Sequence, residues 1–202
     1  MSTLASMPTQ PAGPTWIPWS LYRMTLEQYE SLIASGFFAK QDDVQLINGY
    51  VVNRMAESPL HGAVLEAVRI AIGAILLAAW HTRSQSGLRI PAQVSIPRPD
   101  LAVVRGVPQD YKARYPEPAD TALVVEISIS SLDQDRALAD IYAKAGIPVY
   151  WIVNVDDGQV EVYSDPSPSG YLTHEVLAPG HMLSVVVDGG EIGEIAVADI
   201  LS

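Results

Sequence analysis

The feature that most restricts this chain is a pair of runs, "DLAVV" at 100–104 and "ALVVEISI" at 122–129, that are apolar at consecutive rather than alternate positions. A strand with one wet face alternates apolar and polar residues, whereas a strand covered on both faces has no reason to. Both runs therefore belong in the middle of a sheet. The next segment, "DQDRALADIYAKAG", has helical spacing and ends at Gly146, and "IPVYWIVNV" returns as a strand. Strand, helix and strand in that order form a right-handed crossover with parallel pairing. The expected class is α/β, a mixed central sheet flanked by helices.

The remaining segments fit around that centre. "MTLEQYESLIASG" predicts a first helix, with Thr25 in a capping position and Gly36 as its stop. "DVQLINGYVVNRM" alternates around Asn48-Gly49, the strongest short hairpin signal. From His61 to Trp80, apolar residues at Val64, Leu65, Val68, Ile72, Ile75, Leu76 and Ala79 predict a core helix. "LRIPAQVSI" reads as another strand, and Asp156-Asp157-Gly158 as a hairpin turn into "QVEVYSD". The turn-rich C-terminal third is expected to add short strands at the sheet edge. Residues 1–20, rich in proline, read as a flexible arm and 21–202 as one domain.

Composition narrows the function. With 202 residues, 49% hydrophobic and 17% charged, the chain has the material for a real core. It has no cysteine, so any metal is held by oxygen or imidazole, and the composition suits a cytoplasmic protein. The longest apolar run, Ile70 to Trp80, is shorter than the roughly 20 residues that span a bilayer, so no membrane partner is expected. Net charge is −11, from 12 Lys and Arg against 23 Asp and Glu, with no basic cluster. That argues against tight non-specific nucleic-acid binding and leaves room for a weak encounter bridged by divalent cations.

Two acids stand out. Asp100 follows Pro99 at the mouth of one apolar run, and Glu126 interrupts the other. An unpartnered buried carboxylate costs several kcal/mol, so each needs a partner. In the structural reading, Asp100 caps its loop and Glu126 pairs with Arg136 or Arg54. In the functional one, the two strands are neighbours and both carboxylates converge on one hard cation, with water and a backbone carbonyl completing its shell.

The order "PDLAVV", "LVVEIS", "DRALADIYAKAGIPVYWIV", with "SPLHG" at 58–62 and "GEIAVADIL" near the end, resembles the Uma-type family of restriction-endonuclease-like proteins within the PD-(D/E)XK nuclease superfamily. The resemblance runs from about Met24 to Leu201. It implies a restriction-endonuclease-like fold and a phosphodiester-cleaving site in which Asp100, Glu126 and the carbonyl of Ile127 hold magnesium or manganese. It also implies DNA as substrate and a homodimer, to which Trp16 and Trp19 of the arm could contribute if they do not dock on their own domain.

Departures from the family pattern concern charge. The superfamily lysine two residues after the glutamate is replaced by Ser128, and the alternative lysine of the following helix falls where this chain has Leu138 and Ala139. The three lysines, Lys40, Lys112 and Lys144, stand elsewhere. Arg136 is the nearest cation in sequence. It reads either as a phosphate-positioning stand-in, since an arginine stays protonated and cannot act as a base, or as a partner of Asp140. Gln45 occupies the place of a family glutamate, and Arg98 stands two residues before Asp100. His61 matches a family histidine that could orient phosphate or water, and equally reads as a capping or packing residue at a helix start. His81, His174 and His181 have no ligand spacing to another histidine.

No phosphate-binding glycine loop, nucleophile elbow or zinc-protease motif occurs, and Ser128, Ser130 and Ser131 read as a strand-to-helix loop with a helix cap. Two functions are consistent with the sequence. One is a metal-dependent endonuclease with a degenerate site. The other is a catalytically inactive pseudo-nuclease acting as a binding or assembly protein.

Overall fold

A computed structural model describes residues 20–38, 42–54 and 58–201. Residues 1–19 of the arm, with Trp16 and Trp19, and Lys40 lie outside the described residues. In chain order the elements are α1 (Leu26–Ala34), β1 (Val44–Ile47), β2 (Tyr50–Asn53), α2 (Pro59–Ile75), β3 (Trp80–Ser84), β4 (Leu101–Arg105) and β5 (Thr121–Ser128). They continue with α3 (Leu132–Ala145), β6 (Val149–Asn154), β7 (Gln159–Ser167), β8 (Gly170–Leu177), β9 (Met182–Val187), β10 (Gly190–Ala196) and α4 (Val197–Leu201). Short 3-10 turns punctuate the long loops.

The six-stranded central sheet has the order β3-β4-β5-β6-β7-β8. The β5/β6 pair is parallel and the other pairs are antiparallel. The crossover through α3 is thus as the sequence predicts. Side chains of β4 and β5 alternate between two cores. Leu101, Val103, Leu123 and Val125 pack with α2, α4 and β9, whereas Ala102, Val104 and Val124 pack with α3. Continuous apolarity in these strands follows from having both faces covered.

Local chemistry explains the helix ends. Thr25 Oγ1 accepts from Gln28 N at 3.2 Å while Gln28 Oε1 accepts from Thr25 N at 2.9 Å, a capping box that starts α1. Ser58 Oγ accepts from His61 N at 3.2 Å to start α2, with Pro59 in the first turn. Gly146, at φ 79°, closes α3 in the left-handed conformation that glycine adopts without strain. The β1–β2 turn has Asn48 at φ 50° and Gly49 at φ 80°, as its sequence predicts.

Three expectations are corrected. The core helix stops at Ile75, and Trp80 opens an edge strand instead of closing the helix. The run "AILLAAW" is apolar under either period, and the break shows only in three dimensions, where Trp80 packs in the core beneath the guanidinium of Arg105, 4.4 Å from the ring centroid. "LRIPAQVSI" is not a strand. Pro91 opens a 3-10 turn that ends with Val94 at φ 48°, leaving isolated bridges at Ile90–Ser95 and Leu46–Ile96. At the C-terminus, β8 joins the central sheet edge as expected, but β9 and β10 form a separate antiparallel pair that covers the α2 face. No helix among the described residues is long and apolar enough to cross a membrane.

The first hairpin is what later matters for the site. Leu46 and Ile96 exchange backbone hydrogen bonds at 3.3 and 2.8 Å, and Gly49 N donates to Val94 O at 2.8 Å. Leu26 and Tyr29 of α1 pack on Leu46 and Ile96 from outside. The hairpin is thereby fixed against the segment that leads into Asp100.

Trp151 of β6 is the largest fully buried side chain. Trp151→Ala should destabilise the protein by about 3–5 kcal/mol, read as a lower urea midpoint at unchanged slope. A loss below about 1 kcal/mol would contradict the packing described.

Candidate active site

The antiparallel register Leu101↔Val125 brings Asp100 beside Glu126, and Ala102, Val104 and Val124 on the same face as the acids pack toward α3. The two acids therefore meet on one face. Asp100 N donates to Glu126 Oε2 at 3.0 Å, and Ile127 N donates to Asp100 Oδ2 at 2.8 Å. Each carboxylate is thus anchored by the other strand's backbone. Tyr142 of α3 donates its hydroxyl hydrogen to Glu126 Oε1 at 3.1 Å. Asp100 Oδ1 accepts from Arg54 Nη2 at 3.2 Å, and His61 Nε2 lies 3.0 Å from Asp100 Oδ2.

These groups form the floor of a cleft of about 490 Å³ between the β1–β2 hairpin and α3. Gln45, Asn53, Arg54 and Arg98 line one side, and Gln134, Asp135, Leu138 and Ile141 the other. Burial shapes the acids. The Glu126 carboxyl is held well above the usual carboxylate range by burial first, then by the negative charges of Asp100 and Asp135. Asp135 is pushed up to about 6, again chiefly by burial, while hydroxyl groups of Ser131 and Ser128 favour its charged form. Burial and the neighbouring Glu126 together push the Tyr142 phenol well above its ordinary value.

The structure brings together Asp100, Glu126, Ile127, His61 and Gln45. Ile127 contributes its N–H to Asp100. Gln45 Oε1 accepts from Arg98 N at 3.1 Å, so it secures the loop before Asp100. His61 combines both of its sequence readings: its backbone is capped by Ser58, and its ring contacts Asp100. Ser128 is buried on the α3 side and does not line the cleft. Ser131 stands at the N-cap of α3, but its hydroxyl donates to Asp135 Oδ2 at 2.6 Å instead of capping the helix.

Arg136 is corrected. Its guanidinium grips Glu161 of β7 through Nε and Nη2, one of the contacts at 3.1 Å, and does not line the cleft. Nor does it pair with Asp140, whose partner is Lys144 at 2.6 Å. One residue along a helix is a rotation of about 100°. Asp135 therefore points into the cleft while Arg136 points to β7. Glu126 pairs with neither Arg136 nor Arg54, because Arg54 reaches Asp100 instead.

Sequence reasoning named neither Asp135 nor Tyr142 as a site residue, and offered Arg54 only as a partner of Glu126. A signal existed for the first two: Asp135, Ala139 and Tyr142 are buried at i, i+4 and i+7, one helical stripe with an acid at its head. For Arg54 none existed, since it arrives from a hairpin 46 residues upstream of Asp100.

The donor set fits a hard divalent ion. Among the described residues no three His, Asp or Glu side chains converge as a ready-made ligand cage. Two buried carboxylates with carbonyl and water oxygens suit magnesium or manganese, which are commonly bound through one or two carboxylates and retain several waters.

The comparisons agree with this architecture. The family model described as Uma2, "Putative restriction endonuclease", matches residues 26–192, and the chain belongs to that family. Among solved structures, the chain is similar to "a putative nuclease belonging to DUF820 from Anabaena variabilis ATCC 29413". The TM-score is 0.69 at 15% identity, over 88% of this chain and 97% of the other, a likeness of fold. Comparison with the curated proteins gave no match.

Because the folded-state carboxyl of Glu126 is raised, the metal-free protein pays no ionisation penalty at acid pH. It loses stability as pH rises from the ordinary carboxylate range through the raised value. Glu126→Gln should remove that loss and stabilise the protein in chelator at neutral pH, measured by thermal melts across pH. An unchanged or steeper fall with pH in the variant would contradict the assignment.

Proposed function

We propose that this chain is a divalent-metal-dependent DNA endonuclease of the PD-(D/E)XK type. One observation carries the reading: two buried carboxylates, Asp100 and Glu126, are locked together at adjoining strand ends on the floor of a cleft. Membership of a family described as "Putative restriction endonuclease", and a fold shared with a protein described as "a putative nuclease", support it.

In this reading Asp100, Glu126 and the carbonyl of Ile127 would hold magnesium or manganese, which would supply Lewis-acid polarisation of the phosphate and a water of lowered pKa. The protein supplies position. Ile127 N–H and Tyr142 fix the two carboxylates, and His61 Nε2 meets Asp100 at the same oxygen, Oδ2, as Ile127 N–H. Asp135, with its carboxyl pushed up to about 6 in the same cleft, takes up the proton released by the attacking water. DNA binding is weak and metal-assisted, as expected for a net charge of −11, and the protein works as a cytoplasmic homodimer.

The second reading, an inactive pseudo-nuclease used for binding or assembly, draws on the ion pair between Arg54 and Asp100 and on Leu138 in the cleft where relatives bring a lysine. Cleavage assays decide between them. Purified protein incubated with plasmid, linear and single-stranded DNA should cut in manganese or magnesium, stop with chelator, and lose at least about a hundredfold in rate in Asp100→Ala and Glu126→Ala. Intact DNA across both metal titrations, or full activity in Asp100→Ala, would contradict the nuclease.

A further inference from the structure

The cleft contains a cation that the chain itself provides. The Arg54 side chain is 9% exposed and spans two acids, with Nη1 on Asp43 Oδ2 at 3.0 Å and Nη2 on Asp100 Oδ1 at 3.2 Å. Its backbone is braced too, since Arg54 N donates to Asp43 O at 2.8 Å, extending the β1–β2 ladder. Asp43 in turn is gripped by Arg98 Nη1, and Arg98 N is held by Gln45. The base of the hairpin and the loop before Asp100 are thus stapled by alternating charges. Among the described residues, Arg54 and Arg98 are the arginines lining the cleft, and neither Lys112 nor Lys144 does.

Resting on the nuclease reading, we propose that Arg54 is the resident counter-cation of the site: it neutralises Asp100 when no divalent ion is bound, and holds a phosphate oxygen of the substrate once an ion takes Asp100 over. The physical basis is competition for one carboxylate. A guanidinium about 3 Å from Asp100 stabilises that carboxylate in the metal-free fold, and it repels a second positive charge arriving at the same oxygens. An arginine freed from Asp100 remains protonated and offers a planar fork matched to phosphate. Arg54 thereby occupies, from the hairpin, the positioning role left vacant by Leu138 and not taken by Arg136. Asp43, 42% exposed at its side chain, is the tether that keeps the guanidinium in the cleft through the exchange.

The test measures manganese binding to the full chain by titration calorimetry, with paramagnetic resonance of free manganese as a second readout. Arg54→Gln should bind manganese roughly tenfold more tightly than the parent, because a positive charge has left the site. Arg54→Lys should restore parental affinity, and Arg69→Gln, at an exposed arginine paired with Glu66 outside the cleft, should leave it unchanged. Asp43→Asn, a substitution at a half-exposed side chain, removes a negative charge beside Arg54 and Arg98 and should therefore weaken manganese binding several-fold, the direction opposite to Arg54→Gln. It also keeps the test valid should Arg54→Gln not fold. In calcium, a short phosphorothioate oligonucleotide should bind Arg54→Gln several-fold more weakly than the parent. Manganese affinity that is equal or lower in Arg54→Gln, or, should that variant not fold, equal or higher in Asp43→Asn, overturns the inference while leaving the nuclease reading intact, provided Glu126→Gln abolishes binding. Unchanged oligonucleotide affinity overturns the phosphate role. No manganese binding by parent or variants overturns the nuclease reading and this inference with it.

Discussion

The reciprocal hydrogen bonding between the ends of β4 and β5 is the constraint on which the site depends. Asp100 N–H binds the Glu126 carboxylate, and Ile127 N–H binds the Asp100 carboxylate. Where the ladder between two strands gives way, side chains take over the backbone donors. Each acid is thereby anchored with the rigidity of the sheet, and the sheet is held from both faces by apolar cores. Tyr142 adds a third anchor from α3. The acids remain costly even so. Glu126 is buried and raised, flanked by Val125 and Ile127 and paired with Ile152 of β6. A fold keeps such a group only with compensation, which here comes from hydrogen bonds and from Arg54 on its neighbour.

The hairpin and α3 make opposite contributions. α3 brings Asp135 and an apolar wall of Leu138 and Ile141, whereas the hairpin brings Arg54 and is joined through Asp43 to Arg98. The cleft is thus negative at its floor and along α3, and positive at its hairpin rim. On a chain of net charge −11, this rim sets the cationic side chains of Arg54 and Arg98 next to the acids. A similar division of charge occurs outside the cleft: Arg136, Tyr163 and the fully buried Glu161 tie α3 to β7, fixing the helix phase that points Asp135 inward.

Much of the fold was legible in the sequence because burial wrote it in apolar runs. The crossover, the Asn48-Gly49 hairpin and the pairing of Asp100 with Glu126 follow from charges and turns that interrupt such runs. What was not legible depended on phase or distance. The chain from Ile70 to Trp80 is apolar whether read as helix or strand, so the break before β3 left no mark. Arg136 and Asp135 are adjacent in sequence, and only the helix rotation decides which faces the acids. Arg54 belongs to the site through a contact 46 residues long, which spacing alone cannot encode. The strand read into "LRIPAQVSI" failed for a local reason, since Pro91 and the left-handed Val94 break any ladder there.

The central claim, that Asp100 and Glu126 share one divalent ion, is tested most directly by anomalous diffraction from crystals grown with manganese. The account predicts a single strong peak within coordination distance of both carboxylates and of the Ile127 carbonyl, with the Arg54 guanidinium turned away from Asp100. Density lacking that peak, with Arg54 still seated on Asp100, would contradict it.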